Sequence, residues 1–190
     1  ERTNLSNIKN NGLKQTGYTN VALFGLDSRE NDLGKGNRSD TIIIASLNND
    51  TKEVKLVSIY RDTLLELDDG SYNKANSAYS FGGPEGAVSL INRNLDMNIE
   101  KYVTVNFNAL VDVIDAVGGL DLELTHDEVV HMNNYCVETS ELTGREYTPI
   151  ELPEPKPEDQ EATVGTYHLN GVQATSYCRI RYTASLDMGR

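Results

Sequence analysis

An α/β domain built on a mixed sheet is what this sequence predicts, and three observations predict it. Short apolar or alternating runs take turns with segments whose apolar residues recur every three or four positions. Two of the strand-like runs are joined by a turn tract too short for a helical crossover, so they pair antiparallel and the sheet cannot be purely parallel. The chain has 190 residues, 38% hydrophobic and 24% charged, which suits one domain with a real core.

The elements follow in order. Residues 1–18 are polar, rich in Asn and Gly and without period, and read as a linker. Residues 19–26 (TNVALFGL) form a buried strand, with Asp27 just beyond. Residues 41–47 (TIIIASL) and 54–60 (VKLVSIY) are two more strands, with turn chemistry in Asn48-Asn49-Asp50 between them. Pro84 suits a first helical turn, and Ala87, Leu90, Ile91 and Leu95 carry a helix over 84–95. Residues 102–107 alternate as a strand. Phe107, Leu110, Val111, Ile114 and Val117 then define a helix over 107–117, closed by Gly118-Gly119. Residues 120–124 alternate again. Thr125 caps a helix through Met132, with Asp127 and Glu128 in its first turn. Residues 138–166 hold four of the five prolines and many acids, and read as a long surface loop. After Leu169-Asn170-Gly171 a short helix runs through Ser176, and 177–182 (YCRIRY) reads as a last strand.

Charge removes several function classes. Lys and Arg total 17 against 29 Asp and Glu, a net charge of −12, so nucleic acid is not an expected partner. No apolar run is long enough to span a bilayer, and no signal peptide is visible. The chain opens on Glu1 rather than Met, and is expected to be an excised piece. There is no Walker, GxGxxG or GxSxG pattern. His126, His131 and His168 are scattered, without the spacing of a helical zinc pair. Cys136 and Cys178 permit one disulfide or two buried thiols, and are not spaced as a metal or CxxC site.

The arginines carry the chemistry. Asp27 and Arg29 follow the first strand, Arg38-Ser39-Asp40 precede the second, and Arg61-Asp62 follow the third. Arg179 and Arg181 alternate on the expected last strand and so share a face, and Arg190 ends the chain after Asp187. Strand ends converge on one edge of an α/β sheet, where ligands bind. Guanidinium forks match phosphate oxygens, and paired carboxylates with phosphate suit Mg²⁺. Asp27, Asp40 and the arginines therefore point to a pyrophosphate–Mg²⁺ site. The competing reading is internal ion pairs between neighbours such as Arg38/Asp40 and Arg61/Asp62. Lys74, Asn76 and Tyr79, ahead of Gly82-Gly83, form either an active-site loop or a turn.

Six segments bear a resemblance: LFGLDSR (23–29), NRSDTIII (37–44), VKLVSIYRDT (54–63), NKANSAYSFGGP (73–84), VIDAVGGLDL (113–122) and HLNGVQATSYCRIRYTASLDMGR (168–190). In this order, over roughly residues 19–190, they resemble the LytR-CpsA-Psr proteins of bacterial cell-wall assembly. The resemblance implies a three-layer α/β/α sandwich around a mixed β-sheet, with a hydrophobic groove for a polyprenyl chain. It implies an Mg²⁺-assisted phosphotransferase that moves a glycopolymer, of teichoic acid or capsular type, from undecaprenyl pyrophosphate to peptidoglycan. It implies the extracellular face of the bacterial membrane, with an N-terminal membrane helix. By match of motif, Asp27 and Asp40 are the acidic pair, touching metal and serving catalysis with Arg61. Arg38, Arg61, Arg179 and Arg181 form the pyrophosphate clamp, joined by Arg190. Tyr60 stands where many members have proline, Asn76-Ser77 replaces the frequent Asn-His, and members continue past the position of Arg190. An extracellular site favours a Cys136–Cys178 disulfide, worth about 4 kcal/mol on the chain-entropy model. Competing functions are a polyprenyl or nucleotide pyrophosphatase, a non-catalytic lipid-phosphate or regulatory module, and a plain α/β domain.

Overall fold

The structure is a computed structural model that describes residues 5–10, 12, 15–28, 33–152, 154–160 and 162–181. Among them the chain is mixed α/β, with a mixed sheet and four helices. It divides into two compact units, Glu1–Asn106 and Phe107–Arg190.

The first unit holds strands β1 (Tyr18–Leu26), β2 (Ser39–Asn48), β3 (Val54–Ser58), β4 (Leu64–Glu66) and β5 (Tyr72–Lys74), helix α1 (Ser77–Asn94) and strand β6 (Lys101–Val105). Its main sheet has the order β3-β2-β1-β6. β1 pairs antiparallel with β2, β2 antiparallel with β3, and β1 parallel with β6. The predicted antiparallel partnership across Asn48–Asp50 is therefore present. Alternation sends Ala22, Phe24 and Leu26 of β1, with Ile42 and Ile44 of β2, into one buried face. α1 meets that face with Ala87, Val88, Leu90 and Ile91, and the Phe24 and Tyr79 rings pack edge-on at 5.4 Å. The predicted helix start at Pro84 is the second half of α1. Gly83 interrupts the helix at φ 67°, ψ −162°, and Pro84 opens the next segment. The first half, from Ser77, gave no periodic signal because it ends in two glycines.

Three expectations for this unit change. The third strand stops at Ser58, although the Ile59 N–H still donates to the Ile42 carbonyl. The β4–β5 hairpin was not predicted, because three-residue strands are too short to show alternation. The described residues of 1–18 are a docked strap, with a 3₁₀ turn at Leu5–Asn7, and not a linker. Ile8 enters the core, and the Lys9 N–H donates to Ser89 Oγ. The buried Asn92 amide donates to the Lys9 carbonyl, Asn10 Oδ1 and the Ile99 carbonyl, and Asn92 Oδ1 accepts from the Ile99 N–H. The Gly12 N–H bonds to the Met97 carbonyl, and a Cβ there would lie 2.0 Å from the Asp96 carbonyl oxygen.

The second unit holds α2 (Phe107–Ala116), β7 (Leu120–Thr125), α3 (His126–Thr143), β8 (Thr163–Leu169) and α4 (Gly171–Cys178). β7 and β8 pair antiparallel, and Val111, Ile114, Leu124, Val129, Met132, Leu169 and Val172 fill a separate core. Gly118 and Gly119 both adopt positive φ after α2, as their place in the sequence predicts. Thr125 caps α3 in a full capping box with Glu128.

The expected loop over 138–166 is shorter. α3 runs on to Thr143 and β8 begins at Thr163. The hidden helical turn buries Thr139, whose hydroxyl donates to the Tyr135 carbonyl, so burial continues there without an apolar residue. The segment between is tied down by Asn133, which bonds both the carbonyl and the N–H of Ile150, and by Gln173 on the Thr148 carbonyl. The expected strand over 177–182 is absent from the described part of that range: α4 continues through Cys178, started by a capping box of Asn170 and Gln173. Tyr182 lies outside the described residues.

Cys136 and Cys178 are not joined in a disulfide. The Cys136 thiol is buried and hydrogen-bonds Ser176, and burial raises its pKa. Ser176 and Cys178 are two positions apart on α4, which turns them about 200° from each other. The helix face that meets Cys136 therefore carries Cys178 away from it, into an exposed position.

Candidate active site

The geometry begins at the carboxyl ends of β1 and β3. Gly25 pairs with Thr41 but Leu26 pairs with Ser39, so Asp40 is the extra residue of a β-bulge. Asp27, which follows Leu26, is exposed at the same end of the ladder. The bulge re-aims the Asp40 side chain, and Arg61 reaches it: Nη1 to Asp40 Oδ1 is 2.6 Å. Arg61 gets there because Tyr60–Thr63 is a tight turn closed by the Thr63 N–H on the Tyr60 carbonyl. The Ala75 N–H on the Thr63 carbonyl and the Asn76 N–H on the Arg61 carbonyl dock that turn against the end of β5.

A second carboxylate joins the cluster. Asp62 Oδ1 lies 2.6 Å from Lys74 Nζ, and Asp62 Oδ2 lies 3.6 Å from Arg61 Nε. The result is a chain of alternating charge: Lys74, Asp62, Arg61, Asp40. The pKa of Arg61 is raised, mainly by its hydrogen bond to Asp40. That of Asp62 is lowered, mainly by its hydrogen bond to Lys74. The internal-pair reading anticipated Arg61/Asp62, but the shorter partner of Arg61 is Asp40, 21 positions away. Arg38 is exposed, and among the described residues has no ion-pair partner. The loop at 33–37 that leads into it is held by Tyr79 Oη on the Leu33 carbonyl and by the Gly36 N–H on the Ser80 carbonyl. Arg29 lies outside the described residues.

The remaining arginines expected at the site, Arg179, Arg181 and Arg190, belong to the second unit. Arg179 is the C-cap of α4, its side chain only 16% exposed. It pairs with Glu138 at 2.8 Å, donates to Thr139 Oγ1, and lies over the rings of Phe107 and Tyr135 at 5.0 and 5.5 Å. Arg181 is exposed and outside any strand, so the shared-face argument for Arg179 and Arg181 does not hold. Arg190 lies outside the described residues.

For a metal, Asp27 and Asp40 are the donors that the sheet places at one end. Among the described residues no group of three or more His, Cys, Asp or Glu gathers anywhere. Asp40 Oδ2 has no hydrogen-bond partner among the described residues. Two carboxylates suit a hard cation that brings its own water and phosphate ligands, as Mg²⁺ does. Lys74, read from the sequence as part of an active-site loop or a turn, joins the cluster through a partnership that the sequence did not show. Only the β4–β5 register, Leu64 opposite Lys74, brings it beside the Arg61 turn.

Fold and site together define a mixed α/β domain with an arginine–aspartate cluster at the carboxyl ends of its strands. The profile described as the LytR_cpsA_psr family matches residues 1–190, and the chain belongs to that family. Over 189 residues it is 31% identical to the polyisoprenyl-teichoic acid–peptidoglycan teichoic acid transferase TagV of Bacillus subtilis (strain 168), covering 95% of this chain and 42% of that one. Over 163 residues it is 32% identical to the transferase of the same description, TagU, of Enterococcus faecalis (strain ATCC 700802 / V583), covering 85% and 45%. The chain thus spans less than half the length of the curated relatives it matches. The fold is also that of the LytR-CPS2A-psr family protein YwtF (TagT) of Bacillus subtilis with bound octaprenyl pyrophosphate lipid. The TM-score is 0.61 at 23% identity, covering 87% of this chain and 58% of that one. Among the described residues no helix is long and apolar enough to cross a membrane.

Proposed function

We propose that this domain is a phosphotransferase that moves a glycopolymer, of teichoic acid or capsular type, from a polyprenyl pyrophosphate carrier to peptidoglycan. One observation carries the reading: the Arg61–Asp40 pair at the carboxyl edge of the sheet, within hydrogen-bond reach, beside Arg38 and Asp27. The names of the relatives support it, as does the pyrophosphate lipid held by a protein of the same fold.

In this mechanism Arg38 and Arg61 bind the pyrophosphate. Asp40 holds Arg61 through a 2.6 Å hydrogen bond and turns its fork toward the ladder end. An acceptor hydroxyl of peptidoglycan attacks the phosphorus that carries the glycan, the bridging P–O bond breaks, and lipid phosphate departs. A carboxylate of the Asp27/Asp40 pair takes the hydroxyl proton. Arg61 stabilises the charge that grows on the departing phosphate. Asp27 and Asp40 would hold Mg²⁺, which neutralises phosphate charge when bound. Arg181 is assigned to pyrophosphate only by the family resemblance, and Arg179 is already engaged by Glu138 and two rings. A lipid-linked donor and a peptidoglycan acceptor place the reaction at the outer face of the bacterial membrane, with a membrane anchor as the resemblance implies.

The test is turnover of a polyprenyl-pyrophosphate-linked oligosaccharide with Mg²⁺, with and without peptidoglycan fragments. Product joined to peptidoglycan, reduced about 100-fold by Arg61→Ala and abolished by EDTA, is expected. Cleavage that needs no acceptor would replace transferase with pyrophosphatase. Tight lipid binding without turnover would make the domain a binding module.

A further inference from the structure

Asp62 is the one carboxylate of the cluster that the mechanism above leaves without a task. We propose that Asp62 is a positioning residue, holding Arg61 and Lys74 as a fixed pair of cations from which both meet the pyrophosphate. The inference rests on the pyrophosphate reading of this site.

Each oxygen of Asp62 addresses a different cation, Oδ1 the Lys74 ammonium at 2.6 Å and Oδ2 the Arg61 Nε at 3.6 Å. Arg61 is thereby held on two edges, Nη1 by Asp40 and Nε by Asp62. One short hydrogen bond and one longer ion pair restrict how the planar fork can turn, and Nη2 is left without a bond among the described residues. An ammonium has three donors, and Asp62 takes one, so Lys74 also keeps donors for an incoming anion. Without a bridging carboxylate the two cations would repel each other and swing apart on long side chains. With it they are ready before the ligand arrives, which is where preorganisation gains its rate.

The backbone beneath does not depend on the Asp62 charge. The turn is closed by the Thr63 N–H on the Tyr60 carbonyl and docked through the N–H groups of Ala75 and Asn76. Asp62 and Lys74 are 56% and 61% exposed, so removing the carboxylate leaves no buried group unpaired. The plain alternative is an exposed ion pair of little consequence. The two readings differ in sign. A bystander carboxylate beside an anion site repels the substrate, so its removal tightens binding. A positioning carboxylate orders the donors, so its removal weakens binding and slows turnover although a negative charge has gone.

The experiment compares Asp62→Asn, Asp62→Glu and Lys74→Met in the transfer assay, and by calorimetric titration with inorganic pyrophosphate. Asp62→Asn is expected to lower kcat about 10- to 100-fold and to raise KM a few-fold, and Asp62→Glu to recover most of both. Asp62→Asn is also expected to weaken pyrophosphate binding roughly five-fold. Combining it with Lys74→Met should add less than the sum of the two effects. Unchanged or tighter pyrophosphate binding in Asp62→Asn would overturn the inference. So would equal losses in Asp62→Asn and Asp62→Glu accompanied by a lowered melting temperature. If the parent protein transfers nothing, the transferase reading fails, and the titration alone still decides the role of Asp62.

Discussion

His168 faces Asp121 directly across the β7–β8 ladder, with Nδ1 2.7 Å from Asp121 Oδ1. That contact, helped by a hydrogen bond to the Gly118 backbone, raises the imidazole pKa above its ordinary 6.5. A group whose pKa is raised on folding contributes stability that is full below its unfolded value and fades as pH climbs through the folded one. The melting-temperature difference between the parent protein and Asp121→Asn should therefore be largest near about pH 6 and shrink above neutrality. A difference that does not vary with pH would dissolve the assignment. In the sequence this histidine was one of three scattered ones, because its own strand, Thr163–Leu169, began inside what read as loop, although the partner strand at Leu120 was legible. Arg61 teaches the same lesson. Its identity as a site residue was legible from its place after a strand. Asp40 was legible as a site residue too, but its pairing with Arg61 was not, since only strand register and a bulge bring them together.

Elements with a continuous apolar stripe or an unambiguous cap were legible. The helix read from Phe107 to Val117 runs from Phe107 to Ala116, and the Thr125 cap is in place. Replacing Thr125 with Ala should cost about 1 kcal/mol in chemical denaturation, because the Glu128 N–H loses its acceptor. Elements whose burial is satisfied by polar atoms escaped notice. The last two turns of α3 bury Thr139, and its hydroxyl also accepts from Ser176 and Arg179. β-branched and aromatic residues misled at the other end. Tyr177, Ile180 and Tyr182 suggest a strand, yet the Asn170–Gln173 capping box commits the chain to helix through Cys178. That change removed the reason for pairing Arg179 with Arg181, and took the Cys136–Cys178 bond with it.

At the scale of the molecule, two cores lie in two units, one around Phe24, Tyr79 and Ile91 and the other around Val111, Leu124 and Met132. Met132→Ala removes a fully buried side chain and should cost about 2–5 kcal/mol. Amide exchange should then accelerate mainly over residues 107–181 and little over 15–106. Uniform acceleration would mean that both cores melt as one. The strap at the start of the chain settles a further matter, the vulnerability of this protein to proteases. Lys9 presents trypsin with an accessible side chain, but the carbonyl of the bond to be cut is held by Asn92, and the N–H of the same residue by Ser89. The extended, unengaged backbone that a protease needs is not on offer there while the strap stays docked. The Lys9–Asn10 bond is thus expected to resist trypsin in the folded protein and to be cut once the strap is released.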